Sequence, residues 1–252
     1  LLRRFVSKIP REPLWLFTAL VLVGGTWGFI ELSSEVIEGD TQAFDEWAVR
    51  ALRQVDNPSK PIGPGWLAEA GRDVTGLGGV FVLVLVIAAV AGFLWITRGY
   101  RMLLLLVITT STGIVLSLVL KAAFSRQRPD IVPHLSKVYT SSFPSGHSMM
   151  SAVVYLTLAA VVAATLTRRS LKLYVFAIAS FVIILVGVSR IYMGVHYPTD
   201  VLAGWTAGIV WALLAWNVTR RLIRQGAVET PVQESVVSTP STQVSDSAPI
   251  DG

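Results

Sequence analysis

Charge is absent from six long stretches of this chain, at 13–30, 74–97, 102–120, 148–167, 173–189 and 201–219. A helix rises about 1.5 Å per residue and the hydrocarbon core of a bilayer is about 30 Å thick, so about 20 residues cross it. Every stretch has that order of length. The shortest, 173–189, spans only if a flanking residue such as Lys172 snorkels to the interface. The rest of the composition agrees: 53% of residues are hydrophobic and 15% charged, against about 25% charged in an average soluble domain. Mean hydropathy is +0.61. An ordinary soluble enzyme, a disordered chain and a nucleic-acid module are thereby excluded. The expected fold class is all-α, a six-transmembrane-helix bundle.

Lys and Arg set the expected sidedness. Arg3, Arg4, Lys8 and Arg11 precede the first span, Arg98 and Arg101 join the second to the third, Arg168, Arg169 and Lys172 join the fourth to the fifth, and Arg220, Arg221 and Arg224 follow the sixth. These are twelve of the 21 basic residues, while the loop 31–73 holds nine acids against four bases. The positive-inside rule therefore puts both termini in the cytoplasm of a multi-pass protein of the cell membrane. In the loop, Phe44, Trp47, Ala48, Ala51, Leu52 and Val55 recur with helical spacing. They imply an extracytoplasmic amphipathic helix that packs on the bundle or lies on the outer leaflet. Residues 1–225 are expected to form the membrane domain, and 226–252, rich in Ser, Thr, Pro and acids without periodicity, a disordered cytoplasmic tail. Gly204 and Gly208 form a G-x-x-x-G that reads as close helix packing. The chain has no cysteine, so no thiol nucleophile and no Cys zinc site.

The chemically capable residues gather at one end. Lys121 closes the third span, with Arg128 and Pro129 just beyond it. Phe143-Pro144-Ser145-Gly146-His147 opens the fourth. Ser189 and Arg190 close the fifth, and His196-Tyr197-Pro198-Thr199-Asp200 opens the sixth. Taken singly, each has an ordinary structural explanation: an interfacial lysine, a helix N-cap, an acid in a first turn. Jointly they suit a phosphoryl group. Lys and Arg supply positive charge and a fork of donors, and a helix N-terminus at Gly146 and His147 is a ready anion site. Histidine can attack phosphorus or carry a proton near neutral pH. Asp200, four residues after His196, can orient that imidazole, which suggests one histidine as nucleophile and the other as general acid. No group of residues has the look of a metal site.

Lys121-x6-Arg128-Pro129, Pro144-Ser145-Gly146-His147 and Ser189-Arg190-x5-His196-x3-Asp200 together resemble the three-part signature of the type 2 phosphatidate phosphatase family, the lipid phosphate phosphatases. Order and spacing match at every signature position. The resemblance implies that His196 is the nucleophile, forming a phosphohistidine, that Asp200 orients it, and that His147 protonates the leaving group and then helps water hydrolyse the intermediate. Lys121, Arg128, Ser145, Gly146 and Arg190 would hold the phosphoryl oxygens. It further implies a lipid phosphate as substrate, no cofactor, no metal and no nucleic-acid partner. His134 falls outside the signature, and the loop 130–143, with Tyr139 and Phe143, is expected at the substrate entrance.

Other readings stand beside this one. Vanadium haloperoxidases share such a phosphate site but are soluble, and glucose-6-phosphatase-like chemistry would use a soluble ester. A six-helix transporter or non-catalytic lipid-binding scaffold is the rival of a different class. Transporters, however, carry ionisable residues near the bilayer midplane, whereas these spans are uncharged inside. The signature reads only the terminal phosphate. Undecaprenyl diphosphate and phosphatidylglycerol phosphate are the favoured lipids, with the site facing outward.

Overall fold

The computed structural model describes residues 13–136 and 140–224. The tail expected at 226–252 and Tyr139 lie outside these. The described chain is a helical membrane bundle. Helix α1 spans Pro13–Glu38, and α2, in the first loop, spans Gln42–Ala51. A short antiparallel hairpin follows, β1 Arg53–Gln54 with β2 Asn57–Pro61. Then come α3 Gly65–Gly76, α4 Val80–Ile96, α5 Tyr100–Ala123, α6 Gly146–Thr165, α7 Arg169–Tyr192 and α8 Pro198–Arg224. Five helices are individually long and apolar enough to cross a membrane, and α3 with α4 makes a sixth span if the bent pair is counted as one.

The structure departs from the sequence expectation in three places. The two-stranded hairpin is one; nothing in its polar, fully loop-like sequence announces it. The second is the span expected at 74–97, which is not one helix: α3 and α4 meet at a 47° bend. Gly76, Gly78 and Gly79 lie at the break, where a helix loses least by stopping. Gly78 is also a site of close approach, since a Cβ there would stand 3.3 Å from the His147 carbonyl oxygen and 2.5 Å from Val186. The Tyr155 hydroxyl donates to the Leu77 carbonyl at 2.8 Å, tying the break to α6. Helix α4 alone has 17 residues, about 25 Å, so the bend lets α3 complete the crossing at an angle.

The third concerns α2. Its buried residues are Asp45 and Val49, while Phe44 and Trp47, from the apolar stripe, are 52% and 66% exposed and Val55 is 96% exposed. The helix does pack on the bundle, but through the face that carries an aspartate. Val49 sits with Val132 and Tyr197 in a small apolar cluster. Polar contacts won the inner face because Asp45 has partners there in Arg126 and Thr199.

Helix α6 is the centre of the bundle, with buried residues along its length from Ser148 to Ala163. Helix α8 crosses it closely through the G-x-x-x-G. A Cβ on Gly204 would lie 2.6 Å from the Ser145 carbonyl oxygen, and one on Gly208 would lie 2.6 Å from that of Met149. Backbone cannot yield as a side chain would, so small residues are required at this contact. Gly208→Ala is expected to cost about 1–3 kcal/mol through overpacking. It should lower the unfolding temperature in detergent, whereas Gly28→Ala, with nothing within 4 Å of the added methyl, should not. Indole N–H groups of Trp205 and Trp211 donate to Ile183 and Thr109 carbonyls at 3.2 and 3.1 Å and lock the flanking helices.

Candidate active site

Helices α5 and α7 end, and α6 and α8 begin, at one end of the bundle. The up-and-down order thus brings two C-termini, bearing Lys121 and Arg190 in their last turns, against two N-termini. Cations at the C-termini offset the negative ends of those dipoles, while the N-termini of α6 and α8 present free N–H groups. Ser145 caps α6, its hydroxyl accepting from the Ser148 N–H at 3.5 Å and from the Ser148 hydroxyl at 2.9 Å. The Ser145 N–H donates to the Asp200 carbonyl at 2.9 Å, joining the two helix starts.

The signature residues converge here. His196, 1% exposed, has its Nδ1 3.3 Å from Asp200 Oδ2 and its Nε2 3.1 Å from Arg128 Nη1. The Asp200 carboxylate also receives the Tyr197 N–H at 2.9 Å and the Ser142 hydroxyl. Such a carboxylate accepts rather than donates, so Nδ1 carries the ring proton and Nε2 keeps its lone pair. Burial pushes the His196 imidazole down to about 4, against the pull of Asp200, with Arg128 and Arg190 adding to the downward push. The ring is therefore neutral at pH 7.

The cations surround the same volume. Arg128 Nη1 donates to the Val195 carbonyl at 2.7 Å and Nε to that of Thr140 at 2.8 Å. Lys121 Nζ donates to the Ser141 carbonyl at 2.9 Å, and its Cε would lie 3.1 Å from a Cβ on Gly146. A side chain at 146 would press on the end of the Lys121 side chain. Arg190 donates from Nη1 to Thr75 Oγ1 at 2.9 Å, so the bend between α3 and α4 supplies its anchor. Its Nε is buried with no partner among the described residues, a donor held ready for an anion. His147 lies in the first turn of α6, within electrostatic reach of Arg190, His196, Lys121 and Arg128. With this many cations, the cluster suits a phosphoryl group.

His134, left out of the site on the sequence, is held by the Pro129 carbonyl at 2.6 Å. Phe143, expected at the entrance, is fully buried, its ring 4.9 Å from Phe124 and 6.1 Å from Phe29. The residue before Pro144 turns inward because an aromatic pocket between α1 and the end of α5 accepts it.

Four residues were not assigned to the site from the sequence: Asp45, Arg126, Ser142 and Thr199. Arg126 Nη1 donates to Asp200 Oδ1 at 2.7 Å and to Thr199 Oγ1 at 2.8 Å, and Nη2 to Asp45 Oδ2 at 2.7 Å. Asp45 also accepts from the Thr199 N–H at 3.1 Å and from the Thr199 hydroxyl. Burial works against the Arg126 charge, but Asp200 and Asp45 outweigh it and hold the guanidinium protonated. The available signal was a second arginine two residues before Arg128. No spacing rule pairs it with an aspartate 81 positions away.

The family model described as the PAP2 superfamily matches residues 101–224. Phosphatidylglycerophosphatase B of Bacillus subtilis is 34% identical over 198 residues, 78% of this chain and 93% of that protein. The crystal structure of a transmembrane PAP2-type phosphatidylglycerolphosphate phosphatase from Bacillus subtilis superposes with a TM-score of 0.74 at 30% identity, covering 81% of this chain and 98% of the other. Aquifex aeolicus LpxE superposes with a TM-score of 0.54 at 25% identity, over 69% and 95%. Undecaprenyl-diphosphatase of Sulfolobus acidocaldarius is 37% identical over 67 residues, 27% of this chain and 28% of that one.

Proposed function

Because the chain belongs to the PAP2 superfamily and is a multi-pass membrane lipid phosphate hydrolase, we propose that it releases a terminal phosphate through a phosphohistidine on His196, without a metal ion. The observation that carries this reading is the bipolar setting of His196, Nδ1 on Asp200 and Nε2 beside Arg128. Arg128 Nη1 donates to the Nε2 lone pair; a phosphoryl group that takes the guanidinium onto its oxygens frees Nε2 for in-line attack. Lys121, Arg190, the Ser145 hydroxyl and the N–H groups at the start of α6 hold the equatorial oxygens and neutralise the charge that builds there. The P–O bond to the lipid breaks as the P–N bond forms, and His147 gives its proton to the departing oxygen. Neutral His147 then takes a proton from water as that water attacks phosphorus, the P–N bond breaks, and inorganic phosphate leaves.

The lipid proposed first is phosphatidylglycerol phosphate, because the relative of that activity matches over nearly its whole length. Undecaprenyl diphosphate comes second, supported by a local match alone. Arg98, Arg101, Arg168, Arg169 and Lys172, at the end opposite the site, support cytoplasmic termini and a site on the extracytoplasmic face. The cationic site itself supports metal independence, since Lys and Arg take the role a divalent ion plays elsewhere.

Purified protein in detergent is expected to release phosphate from phosphatidylglycerol phosphate at the same rate with and without EDTA. Undecaprenyl diphosphate, phosphatidate and a soluble phosphomonoester complete the panel. A strict requirement for added Mg²⁺ would end the metal-free proposal, and faster release from undecaprenyl diphosphate would reverse the order of the lipids.

A further inference from the structure

We propose that Asp45 of the first-loop helix and Arg126 are positioning residues of the active site, aligning the Asp200 carboxylate on His196. This rests on the phosphohistidine reading above.

Three observations support it. First, the network is continuous and buried. Asp45 and Asp200 side chains are fully buried and Arg126 is 11% exposed, with 2.7 Å between the charged atoms on both sides. Second, the carboxylate of Asp200 has divided duties. Oδ1 is taken by Arg126, while Oδ2 meets Ser142, the Tyr197 N–H and His196. A carboxylate gripped at one oxygen cannot rotate, so the other stays aimed at Nδ1. Third, α2 holds the whole His196–Asp200 segment rather than one atom. Gln42 reaches the Tyr197 hydroxyl at 3.4 Å, Val49 shares an apolar cluster with Val132 and Tyr197, and Asp45 caps the Thr199 N–H. Arg126 lies 4.5 Å over the same ring. A helix that the three signature blocks do not include thus closes the site from the side of the first loop.

The two residues act on His196 with opposite signs. The charged and titratable groups facing that imidazole are Asp200, Arg128, Arg190 and His147, and Arg126 reaches it through Asp200. Removing the Arg126 charge leaves Asp200 to act on His196 in full and favours the protonated, inactive ring. Removing the Asp45 charge concentrates Arg126 on Asp200 and does the reverse.

The test uses the full-length protein in detergent, phosphatidylglycerol phosphate as substrate, and orthovanadate as a phosphate-like inhibitor. Arg126→Gln and Asp45→Asn are expected to lower kcat about 100-fold and about 10-fold, the scale of a misplaced catalytic group. KM and the vanadate inhibition constant should stay within about twofold, since neither residue touches the phosphoryl group. The acid limb of kcat/KM should move to higher pH in Arg126→Gln and not in Asp45→Asn. Arg126→Lys keeps the charge but not the fork that spans two carboxylates, so it should lose kcat with the acid limb unmoved. If Arg126→Gln does not fold, Asp45→Asn/Arg126→Gln removes one charge of each sign and is read in its place, with kcat again lowered about 100-fold. Wild-type kcat in a folded variant, vanadate affinity falling in step with kcat, or the same acid-limb shift in both single variants would overturn the proposal. A wild-type protein that releases no phosphate from this lipid fails the functional reading instead, and is distinguished by its own silence in the control.

Discussion

His196→Ala is expected to lower phosphate release by about 10⁴-fold or more while leaving a folded protein. The size follows from the proposed role, because loss of a covalent nucleophile removes the reaction path rather than one stabilising contact. The fold should survive because the ring leaves few groups stranded. Asp200 keeps Arg126, Ser142 and the Tyr197 N–H, and Arg128 keeps its carbonyl partners on Val195 and Thr140. About 1–3 kcal/mol of stability is the expected cost of such a loss, readable as a lower unfolding temperature. Two measurements check the result together: turnover of phosphatidylglycerol phosphate, and retention of ³²P on the protein after rapid acid-free quenching. Wild type should carry label sensitive to acid, and the variant none. A variant with a tenth of wild-type turnover would remove His196 from the nucleophile role.

Much of this was legible in the chain because its information is local. Uncharged runs report lipid-facing helices directly, since a charge in hydrocarbon is costly wherever it falls. The signature residues sit at helix ends, and an alternating bundle brings every second end to one surface, so counting crossings was enough to group Lys121, His147, Arg190 and His196. Gly204 and Gly208 were readable for the same reason: one helical turn apart, they mark one face. The bend between α3 and α4 was not, because its glycines sit within an apolar run and hydropathy alone does not distinguish a straight crossing from a broken one. Nor was the inner face of α2. Periodicity marked Phe44 and Trp47 as the apolar stripe, for the bundle or for the outer leaflet, yet a carboxylate with three donors waiting for it outweighs an apolar ring that can rest on lipid. That pairing depends on where residue 126 folds, and nothing near residue 45 records it. Phe143 was misplaced likewise, because a residue beside the signature need not face the site.

His147→Gln tests the other half of the proposed cycle, and the loss should depend on the leaving group. His147 stands in the first turn of α6, among Lys121, Arg128, Arg190 and His196, and among the described residues neither ring nitrogen has a hydrogen-bond partner. An imidazolium in that company needs a counter-charge, and a bound phosphoryl group supplies it. With a lipid alkoxide leaving, both steps need His147, first as acid and then as base, so kcat should fall by about 10²–10⁴-fold. With p-nitrophenyl phosphate the first step needs no proton, because nitrophenolate leaves unaided. The second step still needs the base. The variant should therefore give one rapid equivalent of nitrophenol per site and then turn over slowly, with phosphate held on His196. Rapid-mixing absorbance measures the burst, and phosphohistidine recovered from the same mixture should match its amplitude. Equal losses on both substrates without a burst would assign His147 to phosphate binding and leave the proton to another group.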